Sequence, residues 1–230
     1  MADTDGYITK FDIYQGKRTG TMDGFGLGEN VVLTSTKDLQ SHNHEVYFDN
    51  FFTSLPLLQH LKSHGINAFG TIRSNRKGLP IDLKNDKEME RGDVDYRVSN
   101  DGLMVVKWMD YRSVLVVSNF HATNIMSVDR KEKDGSRKAV PCLIAIKDYN
   151  AFMGGVDKVA ILAALYGLSR KSKKWWHRLF FGMVDRTVVN DFIAYKNLLH
   201  DNDPLLNFIR EVALGLIALS RPPRVGRPLP

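Results

Sequence analysis

Asp49 stands where a β-forming run, Glu45-Val46-Tyr47-Phe48, gives way to a helix-forming one, and Asp157 follows Gly154-Gly155 at the expected start of another helix. Carboxylates held on rigid backbone at element ends are the hard oxygen donors that divalent cations require. The end of a strand in an α/β sheet is also where ligands usually bind. Each residue has a second, purely structural reading. An Asp-Asn pair at a strand end closes an Asx-turn onto its own backbone. An acidic residue in a first helical turn complements the helix dipole for roughly a few tenths of a kcal/mol.

A third stretch is basic and aromatic. Arg170, Lys171, Lys173, Lys174, His177 and Arg178 surround Trp175-Trp176, a set able to pair with phosphates and to stack a ring. A solvated helix start with one indole in the core would use the same residues. Adjacent helical positions point about 100° apart, so at most one of the two rings is expected to be fully buried. Arg73, Arg76 and Lys77, just after a predicted strand, read as ordinary surface charges. His42-Asn43-His44 has a ligand-like look, but with no cysteine or further histidine nearby it reads as loop surface. Arg224-Val225-Gly226-Arg227-Pro228 is similar to an AT-hook core, but one short match yields to the reading of a flexible end.

The elements that must position these groups follow from periodicity. Tyr7 to Tyr14 alternates with period two and predicts a strand, and Glu29 to Leu39 predicts a short helix after a Gly-rich loop. Glu45 to Phe48 predicts a strand. Thr53 or Ser54 caps a helix through Leu55, Leu58 and Leu61, with Pro56 in its first turn and Gly65 at its end. With a further strand over Asn67 to Arg73, residues 45 to 73 form a βαβ unit. Leu103 to Trp108 and Ser113 to Ser118 predict a hairpin, and Asp129 to Lys138 a solvated loop. After Pro141 three helices are expected, broken at Gly154-Gly155, around Gly167 to Ser172, and near Asp201 to Pro204.

Composition bounds the rest. The 230 residues, 43% hydrophobic with 12 Phe, are enough for a substantial core, and 32 Lys+Arg against 26 Asp+Glu give +6, which favours an anionic partner. Cys142 is the only cysteine, so an internal disulfide and a thiolate zinc cluster are excluded and a reducing compartment is the simpler expectation. The longest apolar run, near Val212 to Leu219, is too short to span a bilayer, and no membrane role or secretion signal is expected. A strand-like alternation begins almost at Met1, as if the start fell inside a folded domain.

Val46-Tyr47-Phe48-Asp49-Asn50-Phe51-Phe52-Thr53-Ser54 and Asn150-Ala151-Phe152-Met153-Gly154-Gly155-Val156-Asp157-Lys158-Val159 resemble two motifs of the piggyBac transposase family. Gly70 to Arg76, Ser169 to Trp176 and Val212 to Ile217 keep that family's order, so the resemblance covers nearly the whole chain. It implies an α/β fold with an RNase H-like core, a β-rich insertion over about residues 84 to 138 and C-terminal helices, the domain spanning residues 1 to 220 and a basic tail 221 to 230. The implied activity is cut-and-paste movement of DNA at TTAA sites. It uses an acidic triad and two Mg²⁺ ions roughly 3.5 to 4 Å apart that activate the attacking oxygen and stabilise the leaving one.

Asp49 and Asp157 match the family's second and third carboxylates. The first belongs to a strand ahead of the segment similar to Tyr7 to Gly16, which places it upstream of Met1 and leaves the core without its first strands. Asp3 and Asp5 precede the predicted strand, and Asp12 lies in a segment whose family counterpart is not catalytic. Where the family adds an Asp one turn after Gly-Gly-Val-Asp and then Gln, this chain has Ala160 and Ile161, and nothing after Cys142 replaces the family's cysteine-rich zinc-binding tail. The resemblance therefore implies a nuclear, DNA-binding partial transposase domain, homodimeric like its family and catalytically incompetent as it stands. The alternative is a domesticated, non-catalytic DNA-binding or protein-interaction module.

Overall fold

The computed structural model describes residues 1–16, 24–167, 171–199 and 203–220. The chain divides into two compact units: a sheet unit, Phe11–Met153, and a helical unit made of Met1–Lys10 with Gly154–Pro230.

The sheet unit opens with helix α1 (Leu27–Thr36), continued by a 3-10 turn over Lys37–Leu39. Strand β1 (Glu45–Phe48), helix α2 (Leu55–Ser63) and strand β2 (Asn67–Thr71) then form the expected βαβ unit, with β1 and β2 parallel and in register from Glu45–Asn67 to Phe48–Gly70. Ser54 caps α2 as its type and position require, its hydroxyl accepting from the Leu57 amide at 3.2 Å, with Pro56 in the first turn. Gly65 follows at φ +68°, the left-handed value that a β-carbon disfavours.

Strands β3 (Val94–Val98), β4 (Met104–Met109) and β5 (Ser113–Ser118) extend this sheet antiparallel, in the order β1-β2-β5-β4-β3. The runs Met104-Val105-Val106 and Leu115-Val116-Val117 are apolar at consecutive positions because both sheet faces are covered. One set of alternate residues, Ala68, Leu103, Val105 and Val117, packs with Leu57, Leu58 and Leu61 of α2. The other set, Phe69, Met104, Val106, Trp108 and Val116, packs with Val140, Cys142, Leu143, Ala145 and Ile146. Leu57, Leu58 and Leu61 are each at most 1% exposed, and such burial is worth roughly 1.5–3 kcal/mol per side chain.

Strands β6 (Ile125–Lys131) and β7 (Arg137–Leu143) pair as a separate ribbon, and helix α3 (Ile144–Phe152) follows directly. The helical unit contains α4 (Gly155–Leu165), α5 (Trp175–Leu199) and α6 (Leu205–Ser220) around a core of Val159, Val189, Phe192, Ile193 and Leu205. None of the described helices is long and apolar enough to cross a membrane.

Three expectations are corrected. Tyr7 to Tyr14 is not a strand: it contributes one isolated bridge, Ala2 to Ile8, and Phe11 and Tyr14 are left 61% and 67% exposed. Alternation makes a strand only where a neighbour takes up the main-chain groups, and at Ile8 the side chain of Asn190 takes both. Asp129 to Lys138 is a loop only over Glu132–Ser136, its flanks belonging to the β6–β7 ribbon. The ribbon's base is anchored by the buried Val140 and Cys142, which carries the charged rungs outward in register. Among the described residues four helices rather than three follow residue 141, and the first starts at Ile144 because Pro141 lies within β7, opposite Ser127, with its carbonyl accepting from Trp108 Nε1 at 2.8 Å. Residues 17–23, within the Gly-rich stretch Gly16 to Gly28, and the tail 221–230, with its AT-hook-like run, lie outside the described residues.

Candidate functional site

Asp49 follows β1 directly and is exposed. Its Oδ1 accepts from the Phe51 amide at 2.9 Å, closing an Asx-turn, and its carbonyl accepts from Thr53 Oγ1 at 2.8 Å and from the Phe52 amide at 3.2 Å. The structural reading of this residue is therefore realised. Two arginines clamp the turn from outside. Arg73 Nε donates to Asn50 Oδ1 at 3.0 Å, and Arg76 Nη2 donates to the Phe51 carbonyl at 2.8 Å and the Asn50 carbonyl at 3.3 Å. Sequence had left both as surface charges, because their partners lie 23 to 26 residues away. From the sheet side, Gly70 is indispensable: a β-carbon there would stand 2.4 Å from Thr53 Oγ1 and 2.7 Å from the Phe48 carbonyl.

Asp157 sits in the first turn of α4 and is exposed, and Ala160, one turn on, is exposed as well. The N-terminal turn is seated on this helix start. A β-carbon on Gly155 would lie 2.0 Å from the Asp3 carbonyl, one on Gly6 would touch the Gly155 carbonyl and the Val159 amide at 3.3 Å, and Lys158 Nζ donates to the Thr4 carbonyl. The turn is closed by Asp3 itself, whose Oδ1 accepts from the Asp5 and Tyr7 amides at 3.0 and 2.8 Å. Asp3, which precedes the predicted strand, thus lies in a turn with its backbone carbonyl approaching Gly155, two residues before Asp157. It was discounted for preceding a strand that does not form, and the signal that could have found it is the paired glycines, Gly6 and Gly155, that let the two segments touch.

Asp49 and Asp157 fall in different units. Among the described residues no three His, Cys, Asp or Glu side chains are grouped so as to hold a metal ion. Two carboxylates, one of which already closes its own turn, are too few oxygen donors for a two-ion centre. His42 and His44 lie on an exposed loop, rings 6.0 Å apart, in keeping with loop surface.

The basic and aromatic stretch forms the start of α5. Lys171, Lys173, Lys174 and Arg178 are exposed, and Arg170 lies outside the described residues. Trp175 is 74% and Trp176 47% exposed, so neither indole enters a core. Ser172 organises the approach, its hydroxyl accepting from the Lys174 amide at 3.1 Å and bonding His177 Nδ1 at 2.7 Å. His177 stands edge-on to Trp176, and Lys174 Nζ lies 6.0 Å from the Trp176 ring centre. An open cleft of about 640 Å³ is lined by Lys171, Ser172, Trp176, His177, Phe180 and Phe181.

The mixed sheet with its parallel β1–α2–β2 unit, followed by helices, has the fold of a transposase catalytic domain. A piggyBac transposase, solved by cryo-electron microscopy as a synaptic complex with hairpin DNA, superposes with a TM-score of 0.73 at 24% identity over 92% of this chain and 45% of its own. Residues 1–192 match the family described as Transposase IS4, a DDE-type family, and the chain belongs to its piggyBac branch. Human piggyBac transposable element-derived protein 3 is 32% identical over 96% of the chain, and human piggyBac transposable element-derived protein 2 is 27% identical over 90%. The chain spans 39% and 37% of the length of these curated relatives.

Proposed function

We propose that this chain is a DNA-contacting part of a piggyBac-type transposase that meets duplex phosphates through Lys171, Lys173, Lys174 and Arg178, with Trp175 and Trp176 beside them and Arg170 in the same run. One observation carries the reading. Four cations and two exposed indoles sit at the positive end of a 25-residue helix that has no acidic residue in its first turn. Each cation so placed works against the helix dipole by roughly 0.3–1 kcal/mol, a cost that a bound polyanion removes. The DNA in the structural neighbour's complex supports the same partner. A nuclear location and a homodimeric assembly complete the proposal. The test is duplex binding as a function of salt: Lys173→Ala/Lys174→Ala should lower the log–log slope by up to about 2, and an unchanged slope and affinity sinks the reading.

For strand cleavage, Asp49 and Asp157 are the carboxylates we propose to serve Mg²⁺, in the assembly that completes the site. By themselves these 230 residues are proposed to be a non-catalytic DNA-binding or interaction module, since Asp49 uses one oxygen to close its own turn and Ala160 adds no donor beside Asp157. The opposing outcome is metal-dependent cleavage by this chain itself. Nicking of a transposon-end duplex with Mg²⁺ or Mn²⁺ separates the two. Cleavage by the unaltered chain that is lost in Asp157→Asn overturns the module reading, whereas no cleavage by the unaltered chain leaves it standing.

A further inference from the structure

The β6–β7 ribbon carries an electrostatic conflict that its own fold leaves standing. Its register sets Arg130 opposite Lys138 and Lys131 opposite Arg137, two consecutive rungs of like charge. Directly opposed like charges destabilise a sheet. The inner rung is relieved on one strand: Arg130 Nε lies 3.3 Å from Asp110 Oδ2 with its guanidinium over the Trp108 ring. The outer rung is not. Lys131 and Arg137 are exposed and, among the described residues, neither side chain makes an ion pair or hydrogen bond. The nearby acids are otherwise engaged or out of reach. Glu132 is taken by Arg91 and Tyr111, Asp134 Oδ1 accepts from the Ser136 amide and hydroxyl, and Asp129, two residues back on the same face, pairs with neither cation. Lys133, in the turn that joins the strands, adds a third exposed cation at the same end.

We propose that Lys131, Lys133 and Arg137 form a second nucleic-acid contact, at the tip of a two-stranded ribbon in the sheet unit, that binds the phosphate backbone of duplex DNA. The proposal rests on the DNA-binding reading for its partner but not on the α5 surface. A narrow antiparallel ribbon is one of the shapes a duplex groove admits, and closely spaced phosphates supply the anions that the outer rung lacks.

The experiment compares duplex binding and thermal melting of the full chain with those of Lys131→Ala/Arg137→Ala, Arg137→Glu and Lys173→Ala/Lys174→Ala. The ribbon pair is expected to lose roughly tenfold in affinity near 0.1 M salt and up to about 2 in salt slope, additively with the helix pair. Arg137→Glu converts the outer rung to an opposite-charge pair, and is expected to melt higher while binding DNA less tightly, a divergence that a merely structural role does not produce. Ribbon variants that bind like the parent while the helix pair loses affinity overturn this inference and leave the α5 reading intact. The reverse pattern leaves the ribbon and removes α5. Absence of duplex binding by the parent chain, or binding of polyglutamate as tight as that of DNA, overturns the nucleic-acid assignment of the ribbon.

Discussion

The side-chain amide of Asn190 binds both main-chain groups of Ile8, accepting from its amide at 2.8 Å and donating to its carbonyl at 2.9 Å, across 182 residues. It does for one residue what a neighbouring strand does for a run, and it fastens the N-terminal turn to α5. Asn190→Asp keeps the acceptor but loses the donor, and Asn190→Ala loses both. We expect losses of about 1–3 kcal/mol for each group left unpaired, with faster amide exchange at Ile8 in Asn190→Ala than in Asn190→Asp. Equal protection of Ile8 in both variants contradicts this role.

Gly70→Ala tests the packing behind Asp49. Its β-carbon meets Thr53 Oγ1 and the Phe48 carbonyl well inside contact distance, and Thr53 is fully buried, so the strand or the turn must move. The expected cost is about 2 kcal/mol or more in urea unfolding. Thr53→Ala added to Gly70→Ala should recover only part of it, because the Phe48 carbonyl remains. Full recovery places the strain at Thr53 alone.

Asn119 closes the end of the sheet. Only 5% exposed, it accepts from the Ala68 amide at 2.7 Å and donates to the Leu58 and Ile66 carbonyls at 3.2 and 3.1 Å. Asn119→Leu fills similar space and removes all three bonds at this buried position. We expect a loss of roughly 3–5 kcal/mol, near the upper range for a point change, read from the denaturation midpoint at unchanged m-value.

His121 gives the sheet unit a pH dependence. Its side chain is 5% exposed, with Ser118 Oγ at 2.8 Å from Nδ1 and Asp148 Oδ2 at 3.2 Å from Nε2. Burial pushes its pKa below the ordinary value, and Asp148 and Glu45 oppose this without reversing it. The unfolded chain therefore binds the proton more readily than the folded one. Stability from this group is complete above a pH of about 6.5 and falls as pH drops from there through the lowered folded value. Unfolding measured at pH 7.5 and 5.5 should show a larger drop for the parent chain than for His121→Gln, and an equal drop in both removes His121 as the cause.

Much of the sheet unit was legible in sequence because its instructions are local. The Ser54 cap, Pro56 in the first turn of α2, Gly65 behind it and the apolar runs of β4 and β5 each act over a few residues, and they produced the βαβ unit and the hairpin where expected. The motifs around Asp49 and Asp157 likewise identified the family. Tertiary structure decided what long-range partners control: whether Tyr7 to Tyr14 became a strand, whether a run of charges became a ribbon, and whether Trp175 or Trp176 found a core. Asn190 and Ile8, Gly155 and Asp3, and Arg76 and the Asp49 turn meet through hydrogen bonds or close approach between segments distant in sequence. No periodicity records such a meeting, because a backbone group is indifferent to which remote side chain satisfies it, and only the folded chain brings that side chain within reach.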